Sequence, residues 1–451
     1  MSTKNRIRTG TLAATALVAL SLTACAPGGS APAESSSGPV SDDISDAGEV
    51  TLNVWDQNTD EGINEAQEAL NDAFTEKYPN VTIEREVQSF ADLKTTLRLA
   101  LSGDNPPDVI QANQGYPDMG AFVEGGLIRS LNDYDELYGW SSYYPESLLK
   151  INSFSADGSE WQGDNLYGIS QAGEVVGVYY NRAVLDRIGV EAPTSLDELE
   201  AAMAAAQAAG VQPMAYGDVE KSPGIHLYGV VQAAIAGPET VNKLATGQGG
   251  AWTDDTSVEA AAVVQSWAEK GYIAEGANGI SRDEALASFE AGDAAFAISG
   301  SWYQAQFTAS MGDGVGFTTL IPEGEDTPAT TGGESLAWAI TTGSEHPDVA
   351  AAYIDFINVD NAAQVFLDQN SLPSVLPDGY EPEAGSLTAD IVDAYRTVSE
   401  SGGMVPYLDY ATPTFYDTLS SAVQQLTDGQ VTPEQFAQIL QDDYSAFLES
   451  K

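Results

Sequence analysis

Between Val50 and Ile110 the chain alternates two patterns with clear stops between them. Val50 to Trp55 is a short apolar run, and Ile63, Ala66, Leu70, Ala73 and Phe74 then recur on one helix face until Tyr78-Pro79 ends it. Val81 to Val87 reads as a second strand and Phe90 to Leu101 as a second helix. After the break at Gly103 to Pro107, Val109-Ile110 opens a third strand. The order β-α-β-α-β predicts a mostly parallel sheet covered by helices. Such sheets bind ligands beyond the carboxyl ends of their strands. Just past those ends stand Asp56, Gln57 and Asn58, and then Asn113, Gln114 and Tyr116. Amides, a carboxylate and an aromatic hydrogen-bond to polyols and stack on them, although each also fits an ordinary polar loop.

A second dense stretch runs from Ser281 to Trp302. Ser281 and Glu284 have the spacing of a capping box, Ala285, Leu286 and Phe289 give the short helix an apolar side, and Gly292 sits where a glycine stops it. Ala294 to Ser299 reads as a buried strand, with Gly300-Ser301-Trp302 at its end. Small residues there let a ligand approach the backbone while a flat aromatic offers an apolar face, a combination that suits a sugar ring. Spacing alone favours a core tryptophan closing the strand.

The amino terminus reads as an export signal. Lys4, Arg6 and Arg8 precede an uncharged run from Thr9 to Leu22 that reaches Leu22-Thr23-Ala24-Cys25. Residues 1–24 are expected to be removed, leaving Cys25, the only cysteine, as a lipidated first residue. The run is shorter than the about 20 residues that a spanning helix needs. Ala26 to Gly48 is rich in Ala, Pro, Ser and Gly and is expected to be a flexible tether, so that residues 25–48 comprise anchor and tether. Without residues 1–24 the chain keeps 14 Lys plus Arg against 67 Asp plus Glu, a formal charge of −53. Nucleic acid and anionic lipid are poor partners for such a surface, and the membrane is expected to be reached only through the lipid. His226 and His346 are the only histidines and stand far apart, so a histidine metal site or triad has little to draw on; no metal and no cofactor are expected. No Gly-rich loop ending in Lys-Ser/Thr appears, which leaves ATP hydrolysis to another subunit.

Three segments carry a resemblance: the lipobox at Cys25; Leu166-Tyr167-Gly168-Ile169 with Gly177 to Arg182; and Phe289-Glu290-Ala291-Gly292-Asp293-Ala294-Ala295-Phe296 followed by Gly300-Ser301-Trp302. In this order the chain resembles the carbohydrate-binding extracellular solute-binding proteins, the receptor subunits of ABC sugar importers. The resemblance implies an α/β, two-lobe periplasmic-binding-protein-like fold with hinge crossovers and a helical C-terminal region. The N-terminal lobe is expected at 49–176 and 338–375 and the C-terminal lobe at 177–337 and 376–451. It also implies that Trp302 stacks on the sugar and that Glu174, seven residues before Asn181, binds its hydroxyls. A Glu beside a run as apolar as Val175 to Tyr180 is costly unless hydrogen-bonded, which fits a cleft-facing role, or a hinge residue held by backbone amides. Thr330-Thr331-Gly332-Gly333-Glu334 resembles the family's return hinge, where a glycine loop lines the cleft.

The candidate binding residues are therefore Asp56, Asn58, Asn113, Gln114, Glu174, Trp302, Gly333 and Glu334, with Asp409 and Tyr410 from the aromatic and acidic run that begins at Tyr407. The expected function is a monomeric, lipid-anchored receptor outside the cell membrane. It would bind a sugar or oligosaccharide between its lobes, deliver it to the permease subunits of an ABC importer and catalyse nothing. A secreted glycoside hydrolase would instead need two carboxylates across the cleft. A third possibility keeps the fold and changes the ligand to a peptide, a polyamine or a metal complex, against which Trp302, the amides and the scarcity of cations argue.

Overall fold

The computed structural model describes residues 40–359 and 362–451; the expected signal segment at 1–24 and Cys25 lie outside the described residues. The chain enters one sheet with β1 (Val50–Asp56), α1 (Ile63–Lys77), β2 (Val81–Val87), α2 (Phe90–Leu101) and β3 (Val109–Ala112). β1 lies between β2 and β3 and runs parallel to both, with Val50 opposite Val81 and Val54 opposite Val109. The helices form where the apolar spacing places them. α1 buries Ile63, Ala66, Leu70 and Phe74, while α2 buries Leu93, Leu97 and Leu101 and starts at Ser89, whose hydroxyl accepts the Asp92 N–H.

A second sheet follows, built from β4 (Gly173–Asn181), β5 (Gln212–Met214), β6 (Ala294–Gly300), β7 (Val315–Thr318) and β8 (Thr330–Glu334). Its helices are α3 (Leu196–Ala208) before β5, and α4 (Ser222–Ala245), α5 (Asp255–Glu269) and α6 (Arg282–Glu290) between β5 and β6. The chain returns with β9 (Ala337–Ile340), which pairs antiparallel with β3, and α7 (Pro347–Asn358). It ends in α8 (Leu387–Ser401), β10 (Met404–Val405) beside β8, α9 (Phe415–Thr427) and α10 (Pro433–Ser450). The helical C-terminal region is thus present, with α10 packed on α5 and α9. β4 is antiparallel to β6, β7 and β8, while β5 runs parallel to β6 and β10 to β8, so the second sheet is mixed where the first strands led to the expectation of a mostly parallel one.

Three segments join the two sheets side by side. Ile169 still bridges Trp338 of β9, yet β4 already pairs with β8 from Gly173, so the chain changes sheets before Val176 rather than after it. It changes back between Glu334 and Ala337, and again at Ser371–Ser374, where Gly173 donates to the Leu372 carbonyl at 2.9 Å and Ser374 to Gln171 at 3.0 Å. The end of the stretch expected to be a tether is also packed. Ile44 is 2% exposed in the core under β1, because Asn80 holds the backbone carbonyls of Ile44 and Gly48.

Side-chain hydroxyls cap α6, at the box expected for Ser281 and Glu284, and α3. Ser281 accepts the Glu284 N–H and Ser195 the Glu198 N–H, but the Glu198 carboxylate turns to the N–H and hydroxyl of Thr194, both at 2.8 Å.

Candidate functional site

A cleft of about 1090 Å³, its open mouth included, lies where the ends of the two sheets meet. That is the size of a small-molecule site. One side follows β1 and β3 and offers Gln57, Asn58, Asp60 and Asn113, with Ile63 and Phe90 from α1 and α2. The opposite side follows β5 and β6: Ala215 to Gly217, then Ile298, Ser299 and Trp302. The first turns of α4 and α6 complete that side with Ile225, His226, Arg282, Ala285 and Leu286, and Glu174, Tyr407, Asp409, Tyr410 and Tyr416 line the remainder.

Trp302 is half-buried and packs on apolar residues of both halves. Its indole folds back across the strand end, so that a Cβ on Gly300 would come within 1.9 Å of the ring. Gly300 therefore makes room for the tryptophan itself, where the sequence suggested room for a ligand. His226 stands 5.1 Å from the indole and 5.5 Å from the Tyr407 ring, centroid to centroid, which gives the cleft a continuous aromatic wall. Burial, with the Arg282 guanidinium in support, pushes the His226 imidazole down to about 4, so it is neutral at physiological pH, and its Nδ1 is buried with no hydrogen-bond partner among the described residues.

The Glu174 carboxylate accepts a hydrogen bond from the Tyr407 hydroxyl at 2.7 Å. Burial pushes Glu174 up to about 7, against that hydroxyl, which acts the other way. Asp409 is likewise pushed up by burial, to about 6, with the Lys94 ammonium opposing. Such groups wait for donors: a ligand hydroxyl restores hydrogen bonds that burial has removed. The Tyr410 hydroxyl lies 3.1 Å from Asn113 Oδ1 and 3.0 Å from Gln114 Oε1, and its single proton serves one of them at a time.

Of the ten residues expected to bind, Asn58, Asn113, Glu174, Trp302, Asp409 and Tyr410 line the cleft, and Asp56, Gln114, Gly333 and Glu334 do not. Asp56 is fully buried and takes Arg85 in a two-pronged ion pair at 2.7 and 2.8 Å, because β1 and β2 bring their ends together. Gln114 spends its amide on the Ser335 carbonyl at 2.8 Å, bracing a crossing segment. Gly333 has a φ of +132° in β8, and the buried Glu334 accepts from Asn152; both belong to the joint between sheets. Asn58 lines the cleft with its side chain already engaged by Gln67 and Gln111.

Sequence reasoning missed Asp60, Phe90, His226, Arg282, Tyr407 and Tyr416 as lining residues, although Tyr407 stands in the run that contains Asp409. Asp60 was legible as a carboxylate shortly after a strand end. Phe90 and Tyr416 were not, since their spacing is that of helix residues. Among the described residues, no group of three or more His, Cys, Asp or Glu side chains is placed to hold a metal ion, and no helix is long and apolar enough to cross a membrane.

The description "bacterial extracellular solute-binding protein" belongs to the family model that matches residues 58–364. The chain belongs to that family. Solute-binding proteins are receptors and not enzymes, and the two-sheet fold with its cleft is that of ABC solute receptors. An uncharacterized ABC transporter extracellular-binding protein of Pyrococcus horikoshii is 23% identical over 418 residues, covering 89% of this chain and 84% of the relative. A protein of Mesorhizobium japonicum named "Probable sugar-binding periplasmic protein" is 25% identical over 222 residues, 48% of this chain and 49% of that one. Among solved structures, a chitin oligosaccharide binding protein superposes with a TM-score of 0.76 at 23% identity, covering 88% of this chain and 98% of the other.

Proposed function

We propose that this solute-binding protein is a lipid-anchored receptor on the outer face of the cell membrane, which takes a sugar or oligosaccharide into the cleft and hands it to an ABC permease. The observation that carries the carbohydrate reading is the half-buried Trp302 indole in one cleft with Glu174, Gln57 and Asn113. A flat apolar face with acceptors and donors at its edge is what a pyranose ring needs. The names of the Mesorhizobium relative and of the chitin oligosaccharide binding protein agree with it. The anchor rests on Cys25 at the end of the export signal, since a diacylated cysteine supplies the two chains that stable attachment requires. The receptor is proposed to act as a monomer.

Thermal shift of the purified protein across a panel of mono- and oligosaccharides tests the reading. A true ligand at 100 times its Kd adds about 2.7 kcal/mol of stability. A panel in which amino acids, peptides or polyamines stabilise the protein and no sugar does would overturn it.

A further inference from the structure

The two sides of the cleft differ in kind. The side built on β1 and β3 carries amides and Asp60, whereas the β5 and β6 side presents Ala215, Ile225, Ala285, Leu286 and Ile298 next to Trp302. These five meet because Ala215 hydrogen-bonds to Phe296 alongside β6, while α4 and α6 both pack on that strand. Close packing of Gly217 against the backbone of Ile280 and Ser281 brings the start of α6 to the same place. Trp302 supplies the one flat apolar surface that a pyranose C–H face needs, so the aliphatic patch beside it is surplus to a plain sugar. A hydroxyl set against that patch loses its hydrogen bond to water and gains none.

The rim of the patch is polar and unfinished. Arg282 stands one turn before Ala285 and Leu286 on α6, and Asp60 faces it from the other side of the cleft. The Arg282 charge opposes the rise that burial imposes on the Asp60 carboxyl. Yet among the described residues Asp60 makes no ion pair and its carboxylate no hydrogen bond. Arg282 lies 5.2 Å from the centroid of the Tyr303 ring and meets Asp283 through Nε alone, at 3.4 Å, which leaves its terminal NH2 groups as donors on the same rim as the Asp60 acceptor.

We propose that the sugar bound here carries an acetamido group, its methyl on the aliphatic patch, its carbonyl oxygen accepting from Arg282 and its N–H donating to Asp60. The amide is neutral and offers one acceptor and one donor, which matches the rim, and its methyl is what the patch lacks. This rests on the carbohydrate reading and narrows it to N-acetylated sugars.

Isothermal titration of the full chain with N,N′-diacetylchitobiose, the corresponding free-amine disaccharide and cellobiose tests it. The three differ only at C2. The acetylated sugar is expected to bind at least tenfold more tightly than either of the others, and Ala285→Leu, which fills the patch, to reduce that ratio below threefold. Cellobiose binding within threefold of the acetylated disaccharide overturns the inference and leaves the carbohydrate reading standing, as does tightest binding of the free amine, which would show that the carboxylates select the ligand. Binding of an unacylated sugar from the wider panel, with no binding of the acetylated disaccharide, also overturns it. If no sugar binds at all, both readings fail.

Discussion

Glu174 shows how one side chain can be both costly and useful. It sits second in β4, opposite Gly333, where the chain has just changed sheets, and its carboxylate lines the cleft with the hydroxyls of Tyr407 and Ser335 acting on it. Because burial raises the folded value to about 7 from an ordinary 4.5, the folded protein holds this proton more tightly than the unfolded chain does. Stability is then greatest below the ordinary value and declines as pH rises towards 7. Asp409, raised to about 6 from 3.8, acts in the same direction over a lower window. His226, held down to about 4, acts in the opposite sense between pH 4 and 6.5, so the reading is a difference: between pH 5 and 7 the melting temperature of Glu174→Gln should fall less, or rise more, than that of the wild type. A scanning-calorimetry series in which the two proteins keep parallel profiles would show that Glu174 does not titrate in this range. Trp302 and Glu174 were singled out through the resemblance, since a Gly-Ser-Trp turn after an apolar strand also fits a core tryptophan and a lone Glu beside apolar residues also fits a hinge. His226 and Arg282 were not. Their role depends on where α4 and α6 start relative to β6, which only the tertiary structure fixes.

At the level of elements, strand ends decide which loops can serve the cleft. Asp56 closes β1 and Arg85 lies in β2. Their pair, with the Asp56 carboxylate also accepting the Asn58 N–H at 3.0 Å, fixes the loop that carries Gln57 and Asp60. Asp56 is thus a positioning residue, and removing its charge leaves the Arg85 guanidinium with the oxygens of Asn64 and Asn58 and with Glu68 only at 3.9 Å. Breaking a buried ion pair from one side costs about 3–5 kcal/mol. Asp56→Asn should lose stability on that scale in urea unfolding, and a loss below about 1 kcal/mol would mean that the pair is solvated. The sequence put Asp56 at the right strand end, and the first strands and helices lie where periodicity places them, within a residue or two. What it could not specify was direction: Arg85 is 29 residues away, and nothing in the spacing says that Asp56 turns towards β2 and Asn113 towards the cleft. The antiparallel pairing of β4 in the mixed second sheet was hidden for a related reason. β4 pairs with β6, β7 and β8, all more than a hundred residues later in the chain, beyond the reach of any local pattern.

Over the whole molecule, the three crossing segments at 169–173, 334–337 and 371–374 lie together and hydrogen-bond to one another, with Tyr395 reaching the carbonyls of Gly333 and Ser374. Crossings that lie side by side restrict relative motion of the two halves mainly to bending about a common axis. The sides of the cleft already touch in places: Lys94 lies 4.6 Å above the Tyr416 ring, Phe90 meets the same ring at 6.1 Å, and Tyr410 bonds to Asn113. A sugar that touches Trp302 on one side and Asn113 on the other gains both sets of contacts only when the halves are together, so it favours the closed state by that difference. Micromolar affinity corresponds to roughly −8 kcal/mol, and a central aromatic that contacts both the ligand and the opposing half carries a large share of it. Trp302→Ala should therefore abolish both sugar binding and the ligand-induced decrease in radius of gyration, while the unliganded variant stays folded. Small-angle scattering with and without the sugar found in the thermal-shift panel reads this directly. A wild type that binds without compacting would refute closure, and a Trp302→Ala variant that binds and compacts as wild type does would return the indole to the core.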